Sequence, residues 1–404
     1  MTFRPIALAL LAALPLSAAP DDLRMPTAND ALLAGQPEKF YMYINRDFEG
    51  ERTQVWEGGC YGLVRTPVRL PSGEVVLTKF HEGIDIAPMQ RDKAGNPLDT
   101  VASISDGTVA YISPIAGQSN YGKYVVVEHR WDDSPVYSIY AHLSDITCKP
   151  GDVVKAGDKL GQMGFTGAGI DRPRAHVHLE IVLKLSERYE DWNKFVGGGE
   201  NKHGNFNGMN FTGADAAKFF LERKTNPALT FHDFIKSQPV HFKVSVPSRG
   251  LPDMAKRYPW LVTGDPAKAA SWEIAFTSTG QPIGFTASER KVAAPLVTFI
   301  RPAAIPQHYL TRGLLTGQGE TATLSKSGKQ LVALASDDFP VAPPAPAKAA
   351  VPKPKAKPAA DNPPAQLRAP TVAVCARNPR RLTGIVSFMV YLVVSRLTAS
   401  SREK

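Results

Sequence analysis

Tyr124-Val-Val-Val-Glu-His-Arg-Trp-Asp-Asp-Ser-Pro-Val-Tyr-Ser-Ile-Tyr-Ala-His142 contains two runs of β-branched and aromatic residues, separated by Asp132, Asp133 and Pro135. Such side chains suit a pleated, packed surface, whereas Asp and Pro interrupt one. The passage predicts two strands, Tyr124 to His129 and Val136 to His142. The same texture recurs at Val75 to Thr78, Gly107 to Ile112 and His176 to Leu183, with Gly, Pro, Asn and Asp between the runs. Residues 149–164 place glycines where short strands fold back on one another. From Val55 to Leu183 the expectation is a mainly β domain on an antiparallel sheet.

Outward from this block the texture changes. Before it lies a lead-in, 20–54, of mixed character. After it, Glu187 to Phe195 and Gly213 to Lys224 predict short helices, the second with Ala216, Ala217, Phe219, Phe220 and Leu221 on one side. Thr230 to Lys236 reads as a turn or a further helix. Alternation returns at Val240, Phe242, Val244 and Val246, and at Trp272, Ile274 and Phe276, with Gly280 placed to close a hairpin. The expected organisation is therefore a β domain at 55–185, a helical connector at 186–239, and a second, mainly β (α+β) domain of unassigned role at 240–340. A Pro-rich linker at 341–370 and a basic tail at 371–404 follow. Nine prolines among alanines and lysines make the linker extended and disordered in expectation. Leu382 to Leu397 is short for a membrane span and is interrupted by Arg396, so membrane contact by the tail is not favoured.

Arg4, the apolar run Ile6 to Leu16 and the small residues Ser17-Ala18-Ala19 read as a secretory signal peptide at 1–19. This implies export to the periplasm, cell envelope or exterior. There Cys60 and Cys148 could pair, with Cys375 left over. The net charge of +9 belongs to the tail: 11 of 47 Lys/Arg but only 2 of 38 Asp/Glu lie from Val341 onward, leaving 36 of each sign before it. The body thus shows no basic stripe and no nucleic-acid motif. A mean hydropathy of −0.18 argues against a polytopic membrane protein.

Chemistry concentrates in three places. In His81-Glu-Gly-Ile-Asp85, positions i and i+4 of an extended segment face one side, so an imidazole and a carboxylate can reach one ion. Gly83 permits close approach or a bend. In His176-Val-His178, i and i+2 also share a face, with Val177 and Leu179 directed into the core. Three protein ligands would leave zinc an open position, the arrangement of a catalytic site. His142, in Tyr140-Ala-His142-Leu, ends a strand; a neutral histidine can take a proton from water, and its protonated form can stabilise an oxyanion. No CxxC pair exists, which disfavours a cysteine zinc site.

His81-x-x-x-Asp85, Tyr-Ala-His142-Leu and His176-x-His178, in this order, resemble the lysostaphin-type (LytM-like) zinc endopeptidases. Asp106-Gly-Thr-Val, Tyr121 to His129, the run 149–164 and Gly164-Phe-Thr-Gly167 are similar too. The resemblance covers residues 80–183. It implies one zinc ion held by His81, Asp85 and His178, with His142 and His176 as general base and transition-state stabiliser in an order left open. It also implies hydrolysis of short peptides of peptidoglycan. One departure is the segment 86–100, longer than the family pattern, which is expected to form an extended turn beside the site.

Other residues carry weaker expectations. Glu180 shares the face of His176 and His178, so it either orients a ligand histidine or is a structural or exposed carboxylate. His129 is expected in a structural or rim position, and Asn120 and Tyr121 in a loop that could line the cleft. His203, His232, His241 and His308 are assigned no function. Two alternatives to a wall endopeptidase remain: a non-catalytic regulator of wall hydrolases on the same fold, and a zinc peptidase acting on proteins. A lipoyl- or biotinyl-carrier reading of 149–164 does not account for the five zinc-site residues.

Overall fold

Period-2 alternation organises the chain into two main sheets in the computed structural model, which describes residues 22–43, 45–54 and 57–341. The expected signal peptide at 1–19, nearly all of the expected linker, and the tail with Cys375 and 382–397 lie outside the described residues. Among the described residues, no helix is long and apolar enough to cross a membrane.

The hairpin β1 (Gly62–Arg69) and β2 (Val75–His81) leads through Glu82 and Gly83 into β3 (Ile84–Ile86). Then come β4 (Gly107–Ser113), β5 (Lys123–Trp131), β6 (Ser134–Leu143), β7 (Val153–Val154), β8 (Val177–Lys184) and β9 (Phe211–Ala214). The sheet order is β7-β4-β5-β6-β8-β9, with β3 also on β8, and every pair is antiparallel. The β5–β6 hairpin pairs Trp131 with Ser134. Its two turn residues, Asp132 and Asp133, both take positive φ, 50° and 60°. This matches the right-handed strand twist, and Asp tolerates it better than most residues. Asp132 also accepts the backbone N–H of Phe231 at 2.9 Å, tying the hairpin tip to a helix start.

Both faces of this sheet are covered. Val125, Val127, Val177, Leu179 and Ile181 join the main core. Tyr124, Val126, Tyr137, Ile139, Val182 and Phe211 form a smaller cluster on the other side. The helices α1 (Tyr189–Phe195), α2 (Ala216–Thr225) and α3 (Phe231–Lys236) fall where the pattern predicts them. Asp215 and Thr230 cap α2 and α3 by accepting N–H groups of Lys218 and Asp233. Ala216, Ala217, Phe219 and Phe220 are buried, but Leu221 is 40% exposed, because it turns to the outer side of α2.

The second sheet contains β10 (Phe242–Pro247), β11 (Val262–Thr263), β12 (Ser271–Phe276), β13 (Pro282–Ser288) and β14 (Leu296–Ile300), in the order β11-β13-β12-β10-β14. Phe242, Val244 and Val246 are buried while Lys243 and Ser245 between them are half-buried, as the alternation predicts. Gly280, at φ 84°, closes the β12–β13 turn. Phe242, Val244 and Ile274 belong to the same buried cluster as Val125 and Val127, so both sheets share one core. Cys60 and Cys148 are not joined by a disulfide, so the pairing open to them in the sequence is not made.

His129 shows how the sheet uses a buried polar group. It stacks on Trp131 at 5.1 Å, and its ring nitrogens contact the Asp106 carbonyl at 2.8 Å and Ser138 Oγ at 2.7 Å. Burial pushes its pKa down from 6.5 to about 4, against the opposing pull of Asp106. An unfolded chain therefore binds a proton at His129 that the fold rejects. Its contribution is fully present above pH 6.5 and is lost as pH falls from 6.5 toward 4, by up to about 3 kcal/mol. Denaturant unfolding of wild type and His129→Asn at pH 7 and pH 4.5 checks this: the acid loss should be smaller in the variant, and equal losses would refute it.

Candidate metal centre

Strand pairing brings the motif residues together. Asp85 on β3 stands in register opposite His178 on β8. His81 ends β2, and Glu82 and Gly83 fold it back onto the same centre. The fold-back needs a glycine: a Cβ on Gly83 would lie 2.4 Å from the Leu179 carbonyl oxygen and 2.9 Å from His178 Nε2. His176, in a bridge with Gly164 just before β8, and His142, near the end of β6, complete the group. All five residues are buried, none more than 7% exposed.

Three potential ligand atoms converge. His81 Nε2 lies 3.1 Å from His178 Nδ1 and 3.1 Å from Asp85 Oδ1, and His178 Nδ1 lies 3.0 Å from that oxygen. Tetrahedral zinc with bonds of about 2.0–2.1 Å would separate its ligand atoms by about 3.3 Å, so these residues fit such an ion. The same three residues form one of two clusters among the described residues whose donors all lie within 4.8 Å of one another; the other, Glu82, His178 and Glu180, shares His178 with it.

Hydrogen bonds at the far side of each ring prepare this convergence. His81 Nδ1 donates to the Cys60 carbonyl at 2.8 Å, which leaves Nε2 bare in the neutral ring. His178 Nε2 faces Glu180 Oε1 at 2.9 Å, directing Nδ1 to the centre. Glu180 is 1% exposed and also accepts from the Tyr121 hydroxyl, so of its two sequence readings the orienting one describes its position. Arg65 donates to Asp85 Oδ2 at 2.6 Å and to the Gly58 carbonyl at 2.8 Å, so Oδ1 turns inward. Burial works against the Asp85 carboxylate, but His81 and His176 hold it well below the usual range. Burial also opposes charge on His178, yet hydrogen bonds to Asp85 and Glu180 raise its pKa to about 10. A proton there occupies the position a cation would take, so a metal ion bound there would displace it.

His142 and His176 flank the centre, their ring centroids 4.7 Å apart. His176 Nδ1 donates to the Arg174 carbonyl at 2.6 Å, and its Nε2 lies 3.3 Å from Asp85 Oδ1. His142 Nδ1 donates to the Thr166 carbonyl at 2.9 Å. Burial, with His176 and His178 nearby, pushes the His142 pKa well below its usual value and keeps the ring neutral. Its backbone is left-handed, φ 65°, uncommon for a non-glycine residue and held by a 2.9 Å bond from its N–H to the Tyr121 carbonyl.

The surroundings include parts that carry no motif. The lead-in is bound to the edge of β3: Met42 N donates to the Asp85 carbonyl at 2.9 Å, and Tyr41 bridges Ile86. The long segment 86–100 is clasped, with Asp99 accepting from Met89 N and Arg91 donating to the Arg172 carbonyl. Tyr121 and Asn120 line a cavity beside Glu180, and so does His203, which the sequence left without a role. His203 Nδ1 lies 3.1 Å from the Tyr111 hydroxyl. Arg65 and His203 stand in no recognisable spacing with the motif histidines, so only the fold reveals them. Gly83→Ala should destabilise the protein by about 3 kcal/mol through this overpacking and lower its zinc content. Thermal unfolding and metal analysis check both, and unchanged values would show that β2–β3 need not approach β8 so closely.

The family model described as Peptidase family M23 matches residues 79–190. The murein hydrolase activator NlpD of Escherichia coli is 31% identical over 130 residues, which cover 30% of each chain. The lipoprotein NlpD of Yersinia enterocolitica is 30% identical over 93 residues, 23% of this chain and 87% of that one. The catalytic domain of the antimicrobial peptidase lysostaphin from Staphylococcus simulans is 27% identical, covering 30% of this chain and 75% of that one at a TM-score of 0.21. Three other curated relatives are matched over only 10% to 29% of their length. With the ordered His81, Asp85, His142, His176 and His178 motifs on an antiparallel sheet, these findings mean that the chain belongs to peptidase family M23, the lysostaphin (LytM) type.

Proposed function

We propose that the chain is a zinc endopeptidase that cuts peptide bonds in peptidoglycan stems or cross-links. The observation that carries this reading is that His81, His176 and His178 each bring a ring nitrogen within 3.3 Å of one buried Asp85 oxygen, with His142 packed against His176. In this reading residues 55–185 form the peptidase domain, and His81, Asp85 and His178 hold the ion. Bound zinc supplies Lewis acidity, polarising a scissile carbonyl and making water a better nucleophile at neutral pH. His142 and His176 share the proton work. Each has Nδ1–H fixed on a backbone carbonyl, so each presents a bare Nε2 that can accept a proton from attacking water. Once protonated, the same nitrogen can stabilise a developing oxyanion or pass the proton to the leaving amine. Export to the cell envelope is part of the proposal, supported by the apolar leader at residues 6–16 and by relatives named lipoproteins.

A second reading has a specific observation behind it: several relatives are named murein hydrolase activators. In that reading the chain would stimulate a wall hydrolase without cutting bonds itself. The complete set of five site residues supports the catalytic reading instead.

Purified zinc-loaded protein should release soluble fragments from peptidoglycan without a partner hydrolase. His176→Ala should keep about one zinc per chain and lose activity by about 10²–10⁴-fold. His81→Ala should lose both zinc and activity. Fragment release unchanged in His176→Ala would contradict the mechanism. Stimulation of a partner by a protein that releases nothing alone would favour the activator reading.

A further inference from the structure

The segment after the peptidase motifs contributes a charged group to a cavity beside Glu180. A cavity of about 730 Å³ is lined by Tyr61, Phe80, Tyr121, Glu180, Arg312 and Gln330, among others. Its near wall belongs to the candidate metal centre, since Glu180 is the residue that holds His178 Nε2. His178 and Glu180 lie two residues apart on one face of β8, a separation of about 7 Å. The cavity therefore continues the same sheet face beyond the ion-binding residues. Its far wall comes from residues 279–334, outside the stretch 79–190 that the family model matches.

Arg312 stands out in that far wall. Its guanidinium carbon lies 4.7 Å from the Phe80 ring centroid, and Phe80 in turn packs edge-on against Tyr61 at 5.4 Å. The side chain stays open to solvent within the cavity, and no carboxylate among the described residues forms an ion pair with it. Desolvation by the cavity walls lowers its pKa, while Tyr61 and Glu82 act in the opposite direction. The backbone is also committed to presenting this residue. Arg312 is left-handed, φ 46°, and is followed by Gly313 at φ 77°. Ser325 and Ser327 hydroxyls donate to the Gly313 carbonyl at 2.6 and 3.1 Å, and Gly313 N donates to the His308 carbonyl at 2.9 Å. A strained non-glycine residue locked in place, with its charge unpaired and facing a cavity, is the pattern of a binding group.

We propose that Arg312 anchors the free C-terminal carboxylate of the peptide substrate, and so makes the enzyme selective for wall peptides that end in a carboxylate. The inference rests on the peptidase reading above. A planar guanidinium suits a carboxylate because it can donate two parallel hydrogen bonds. Tyr61, Phe80 and Tyr121 provide apolar surface for the stem that carries it. Glu180, held against His178, makes that end unfavourable for an anion, which leaves Arg312 as the cationic group for the carboxylate.

The test uses full-length zinc-loaded protein and two synthetic wall-type tetrapeptides that differ only in a C-terminal carboxylate or carboxamide. Binding is measured by calorimetry, and hydrolysis is followed separately. Wild type should bind the carboxylate form about 10-fold or more tightly than the amide. Arg312→Gln should lose that preference while binding the amide as wild type does, and Arg312→Lys should keep part of it. Equal binding of both peptides by wild type would overturn the inference, even if both are cut. So would a preference undiminished in Arg312→Gln, or no binding of either peptide. The wild-type comparison stands even if Arg312→Gln fails to fold. Carboxylate-selective binding without any hydrolysis would instead remove the peptidase reading and leave the anchor in place.

Discussion

The short ladder between β3 and β8 is the constraint on which the chemistry depends. It sets Asp85 opposite His178, and a slip of one residue would turn one of the two to the other face of the sheet. Several contacts hold that register. Gly83 allows β2 and β3 to close onto the Leu179 carbonyl, Met42 donates to the Asp85 carbonyl from the outer edge, and Arg65 holds the second Asp85 oxygen. None of these groups supplies the converging ligand atoms, yet each decides whether the three ligand atoms meet.

Convergence would be unfavourable without positive charge at the centre, since bare nitrogens and a carboxylate oxygen repel one another at 3 Å, and a proton on His178 supplies that charge when no ion does. The backbone makes the arrangement persist by using the opposite nitrogen of each ring. Carbonyls of Cys60, Thr166 and Arg174, and the carboxylate of Glu180, select the tautomers of His81, His142, His176 and His178. The site is therefore organised around positive charge in advance, as the proposed catalytic reading requires.

Much of this was legible in the sequence because it depends on local periodicity. The i, i+4 and i, i+2 spacings identify the convergent residues, and alternation identifies the strands that carry them. The two strands of the β5–β6 hairpin follow from β-rich runs interrupted at Asp132 and Asp133, whose positive φ only the fold reveals. What the sequence concealed depends on distance in three dimensions. Arg65 reaches Asp85 only because β1 folds over β3, and residues 40–42 become an edge segment only once β3 exists. Leu221 looked like a core residue, but the phase of α2 turns it outward. Arg312 lies more than two hundred residues from Glu82, and only the shared core brings them to one cavity.

X-ray absorption at the zinc edge of the loaded protein tests the central claim most directly. The account predicts one zinc per chain with two imidazole nitrogens, a carboxylate oxygen and no sulfur in its first shell. Sulfur scattering, or the lack of imidazole multiple scattering, would contradict it.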